Sequence, residues 1–187
     1  MKNFLRTNLY YIIRLIGTQV GISIFAMMLQ FATVRTDGPL FLFASIGSAV
    51  FYLVLIYSTC WEMGYKNSER VRAGRLEQSW FNGAYVSLAS YVPVLLLTAL
   101  LWLGVGFSSQ LWAGNLFQIV KWVLYLFFSV YYGIIKTVID GAQDISTFLY
   151  PLLYTLSVIP GIVTAGIAYA MGRKGLALFS KPKANVE

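Results

Sequence analysis

Lys121 is the residue in this sequence with the most chemistry to offer. It stands in an apolar stretch, WAGNLFQIVKWVLYLFFSVYYGIIKTVI at 112–139. A cation at mid-bilayer costs at least about 2.5 kcal/mol on insertion scales, so it marks either a site or a position nearer the membrane surface. The polar and amphipathic positions Asn115, Gln118, Lys121, Tyr125, Ser129, Tyr132 and Lys136, followed by Asp140, are spaced 3, 3, 4, 4, 3, 4 and 4 residues apart, which places them on one helical stripe. Two arrangements satisfy such a stripe. In the preferred one, an amphipathic interfacial or re-entrant helix keeps the stripe at the membrane surface and Lys121 snorkels outward. In the other the segment spans with its stripe turned inward, and Lys121 becomes the leading candidate to bind an anion or a carboxylate.

A second stripe lies in the first apolar run, where Gln19, Ser23, Ala26 and Gln30 recur at intervals of 4, 3 and 4. Amides and small residues at this spacing let helices approach and bond to one another, so helix packing is the expected role and a polar wall facing a ligand the alternative. Gly17 and Gly21, a GxxxG pair, lie roughly opposite and predict packing on a second side. Near the C-terminus Gly161 with Ala165 and Gly166 with Ala170 repeat the small-xxx-small spacing, and Pro160-Gly161 offers a place to break the helix and expose carbonyls. Lys66, Arg70, Arg72 and Arg75, mixed with Glu62, Glu69 and Glu77, are suited to lipid headgroups or to a docking partner. Asp140 and Asp144 are two carboxylates one turn apart, too few for a metal site. The chain holds no histidine and one cysteine, Cys60. Ser87, Ser90 and Ser157 therefore lack a histidine to activate them, and neither a catalytic constellation nor a cofactor site is expected.

The elements that position these residues follow from composition. Of 187 residues 58% are apolar and 11% charged, with a mean hydropathy of +0.69. A soluble domain is about 25% charged. Apolar runs at 15–34, 40–60, 81–106 and 148–172 are each long enough to cross about 30 Å of hydrocarbon. The expected fold is all-α: a polytopic bundle of four full spans in one membrane domain, with the amphipathic helix 112–139 as a fifth element and five spans as the alternative. Residues 61–80 read as a polar loop bounded by Trp61 and Trp80, both interfacial anchors. The N-terminal dozen residues read as a short amphipathic entry helix, and Pro93 sits near the middle of the third span.

Lys and Arg outnumber Asp and Glu by 14 to 7. Eleven of the fourteen fall in three clusters, at Lys2, Arg6 and Arg14, at 66–75, and at Arg173, Lys174, Lys181 and Lys183. With four crossings all three share one side, which by the positive-inside rule is the cytoplasmic one, together with both termini and a basic tail at 173–187. That distribution fits an anionic lipid surface and excludes a nucleic-acid face. From Trp61 to Arg75 the order W-x-x-G-x-K-N-x-x-R-V-x-x-G-R resembles small uncharacterised multi-pass proteins of Gram-positive bacteria. The resemblance implies a bacterial plasma membrane and carries no activity with it. Two function classes remain. One is a noncatalytic accessory, assembly or immunity-type subunit that packs against a membrane partner or itself, and is preferred. The other is a solute- or lipid-binding component of a transporter.

Overall fold

The computed structural model describes residues 2–33, 39–74, 79–141 and 148–176, and all regular structure in them is α-helical. The helices are α1 (Lys2–Thr33), α2 (Pro39–Arg72), α3 (Asn82–Gly106), α4 (Leu111–Phe127), α5 (Ser129–Gly141), α6 (Leu149–Leu156) and α7 (Ile159–Arg173). Four stretches are long and apolar enough to cross a membrane: Arg6–Thr33, Leu40–Arg72, Asn82–Gly106 and Leu149–Arg173, the last made of α6 and α7. This is the all-α bundle of four candidate spans that the apolar runs predict. In lipid the backbone must satisfy its own hydrogen bonds, which makes helices the form available to such runs. Large apolar side chains on their outer faces, among them Met28, Phe31, Phe43, Leu96 and Ile167, are exposed, as a lipid-facing surface requires.

The bundle has two dissimilar ends. At the basic end Arg14 of α1 pairs with Glu62 of α2 at 2.7 Å, and Glu62 also binds Lys66 at 2.6 Å. Asn82 at the start of α3 donates to Asn8 Oδ1 at 3.2 Å. Trp61 donates to the Leu176 carbonyl at 2.6 Å, while Arg173 donates to the Ser79 carbonyl at 2.7 Å and lies 4.2 Å from the Trp80 ring centroid. Trp61 and Trp80 thus meet the same end of α7, at the common level expected of them. At the far end α1 finishes, α2 begins, and α3 turns into α4 through residues 107–110. There Phe148 packs edge-on against Trp102, with centroids 4.6 Å apart.

Helix α7 packs against α2 and α3. It gets that close because small residues face it. A Cβ on Gly64 of α2 would overlap the Tyr169 carbonyl, and a Cβ on Gly172 of α7 would overlap the Trp61 carbonyl, so only glycine allows this backbone contact. Ala165 and Tyr169 are buried there, and Asn67 donates to the Tyr169 hydroxyl at 3.4 Å.

Four boundaries differ from the sequence reading. Residues 61–72, expected as loop, continue α2 as helix, which stops only where Gly74 adopts a left-handed φ of 68°. The N-terminal entry segment and the first span form one continuous α1. The last span divides at Ser157 and Val158, just before Pro160, whose ring supplies no N–H to continue the ladder. The amphipathic segment divides at Phe128. Pro93, in contrast, lies within an uninterrupted α3.

Candidate functional site

The break at Phe128 shapes the site. A helix that stops in apolar surroundings leaves the carbonyls of its last turn without intrahelical partners. Here α1 supplies one for the end of α4, and α1 and α2 bond further to the first turn of α5. Ser23 of α1 donates its hydroxyl to the Phe127 carbonyl at 2.8 Å, and the Gln30 amide donates to the Ser129 carbonyl. Ser45 of α2 donates to the Val130 carbonyl at 2.9 Å and accepts from the Gly133 N–H at 3.1 Å. The Ser129 hydroxyl donates to the Ser23 carbonyl at 2.5 Å, and Tyr125 to Gln30 Oε1 at 3.1 Å. The Gln19, Ser23, Ala26 and Gln30 stripe is accordingly buried. Two of its members, Ser23 and Gln30, bond to the backbone on either side of the helix break.

Beyond the break the chain turns back on itself. Tyr125 and Tyr132 are seven residues apart, about 10 Å along a straight helix, yet their ring centroids are 4.4 Å apart. Gln118, Lys121, Trp122 and Tyr125 from α4 line one cavity of about 210 Å³ together with Tyr132, Lys136 and Asp140 from α5 and Tyr150 and Tyr154 from α6. A straight helix would separate Gln118 from Asp140 by about 33 Å. Helices α4 and α5 are therefore the arms of a V. The first descends from the far end along α3, with Gly104 against Phe117. The second returns to the far end along α2, where Lys136 lies 5.5 Å from the Phe41 ring centroid. The segment expected as one amphipathic helix thus folds back on itself as two.

Folding the stripe at its centre brings like residues face to face. Counted from Phe128, Tyr125 and Tyr132 stand three and four residues away, Lys121 and Lys136 seven and eight, Gln118 and Asp140 ten and twelve. The cavity is thus layered from apex to mouth: tyrosines, then lysines, then an amide and a carboxylate. Both lysines are half-buried and rest on aromatic walls, Lys121 with its ammonium 4.0 Å from the Tyr150 centroid and 6.0 Å from that of Phe117. The ion pairs among the described residues belong to the other end of the bundle, so neither cavity lysine is matched to a carboxylate. Two ammoniums against one carboxylate leave this pocket cationic.

The remaining predicted residues are elsewhere. Lys66, Arg70 and Arg72 lie exposed at the basic end, and Arg75 falls outside the described residues, as does Asp144. These cations do not join Lys121. Gly17 and Gly21 have nothing within 4 Å, so α1 packs on one side rather than the two expected. Gly161 packs under the Tyr91 hydroxyl, which covers the break before Pro160. The sequence places Gln118, Lys136 and Asp140 on the stripe but does not mark them as a site, and it gives no sign of Tyr150 and Tyr154. The near-mirror spacing about Phe128 is the signal that could have found the first three.

Comparison with models of known families, with curated proteins and with solved structures gave no match to this chain.

Proposed function

We propose that this chain is a noncatalytic membrane protein that binds a ligand bearing an anionic group in the cavity between α4 and α5. Of the two classes left by the sequence this is the solute or lipid handler. A bacterial plasma membrane with the basic end in the cytoplasm is the setting we adopt, which opens the cavity toward the outer leaflet. One observation carries the reading: two half-buried lysines on separate helix arms line one aromatic-walled cavity, and among the described residues neither is ion-paired to a carboxylate, Asp140 included. In a low-dielectric pocket such groups are costly alone and favourable with an anion.

The accessory-subunit reading drew on the small and amide stripes. Those stripes are largely occupied by internal contacts, which removes much of its support. The exposed Gly17 and Gly21 face is the observation that still favours a partner or self-association.

The test is retention of an anionic lipid by the full chain. Purified from nanodiscs of phosphatidylcholine with phosphatidylglycerol, the protein retains anionic lipid, and the Lys121→Gln/Lys136→Gln variant loses about tenfold or more of that retention. Equal retention by a variant that remains monodisperse overturns the assignment.

A further inference from the structure

The order of the layers says more than the sign of the charge. At 1.5 Å per residue, the two lysines stand about 10 to 12 Å from the apex and Gln118 and Asp140 about 15 to 18 Å. Moving from mid-bundle to the mouth, a ligand meets aromatic carbon, then two cations, then one exposed carboxylate. A phospholipid whose head enters this V presents its glycerol carbons, then phosphate, then its head substituent, in the same order.

We infer that the ligand is a phosphate ester with a primary ammonium group two carbons away, its phosphate held by Lys121 and Lys136 and its ammonium by Asp140. This rests on the anion-binding reading above and narrows it. Charge-assisted bonds from two lysines suit a phosphate. Asp140 at the mouth repels a second negative group and accepts from an ammonium, so it discriminates as well as attracts.

Asp140 is available for that role. Lys136 and Asp140 are separated by four residues on α5, a spacing at which opposite charges commonly pair. Among the described residues they do not; Lys136 is turned to the Phe41 ring. The four-residue rise from Lys136 to Asp140 is about 6 Å, comparable to the reach from phosphate to amine in an ethanolamine ester. The volume of about 210 Å³ equals that of about seven waters, enough for such a head and too small for acyl chains. The chains then remain in lipid, alongside the exposed Ile119, Trp122 and Leu126 of α4. The same headgroup chemistry exists in a soluble form, O-phosphoethanolamine.

The experiment is native mass spectrometry of the full chain released from nanodiscs. These contain equal amounts of phosphatidylethanolamine and phosphatidylglycerol in phosphatidylcholine, whose methylated ammonium donates no hydrogen bond. The wild type is expected to retain the ethanolamine lipid about fivefold over the glycerol lipid. Asp140→Asn, at an exposed position, is expected to abolish that preference without loss of monodispersity, and Asp140→Lys to reverse it. Equal or greater retention of phosphatidylglycerol by the wild type, or a preference that survives Asp140→Asn, overturns the inference and leaves the anion-binding reading standing. That reading fails separately if Lys121→Gln/Lys136→Gln retains as much total lipid as the wild type. Added O-phosphoethanolamine decides the source of the head. Displacement of the bound lipid at millimolar concentration assigns the site to the soluble ester, and persistence assigns it to the leaflet.

Discussion

Around α7 the helices touch backbone to backbone, whereas around α4 and α5 they are joined through hydroxyls and amides to a helix that stops halfway. In the first region Gly64 and Gly172 remove every side-chain atom between neighbouring chains, and dispersion between close backbones supplies the attraction. In the second, Ser23 caps the last carbonyl of α4 while Gln30 and Ser45 bond to the first turn of α5. The first solution leaves no space. The second leaves a cavity, because a reversed helix cannot fill the volume between its own arms.

Substitutions at the close contacts should have the largest effect. Gly172→Leu forces α7 away from the Trp61 carbonyl and is expected to cost about 3 kcal/mol or more, read as a fall in melting temperature in detergent. Gly17→Leu, on a face with nothing within 4 Å, should change stability by less than about 0.5 kcal/mol. Equal damage from the two would erase the distinction between packed and open glycines.

At the break the effect should be smaller and local. Gln30→Leu removes the bonds that the amide makes with the Ser129 carbonyl and the Tyr125 hydroxyl and is expected to cost about 1 to 3 kcal/mol. Hydrogen exchange should quicken at residues 128–133 and stay slow in α7. Uniform acceleration throughout the bundle would show that the two regions are a single cooperative unit. Lys121→Gln should leave melting nearly unchanged, within about 0.5 kcal/mol, while weakening retention of anionic lipid. Smallest of all is Arg14→Gln at the basic end. The Arg14 and Glu62 side chains are 38% and 35% exposed, so the pair is worth at most about 1 kcal/mol. That loss should shrink further as salt is raised.

Much of this architecture was legible because lipid imposes simple rules. Runs of apolar residues at 15–34, 40–60, 81–106 and 148–172 mark the crossings, and periodicity marks the faces. Spacing alone places Gln19, Ser23 and Gln30 on one face, and that face is buried. The reversal at Phe128 did not, because LYLFFSVYY contains no proline or glycine to announce a break. The cause lies in distant residues, the hydroxyls and amide of α1 and α2, which a local reading does not bring to residue 128. For the same reason the stripe reads as one face of one helix, on which Lys121 and Lys136 stand about 22 Å apart. Gly17 and Gly21 show the converse, a packing motif whose spacing names no partner.

The distance between positions 118 and 140 tests the re-entrant V most directly. In a Cys60→Ala background, spin labels at Gln118→Cys and Asp140→Cys, measured by pulsed dipolar spectroscopy in nanodiscs, should give a separation of about 25 Å or less. A distribution centred near the straight-helix value of about 33 Å would mean that the segment crosses as one rod, and the cavity with its paired lysines would not exist.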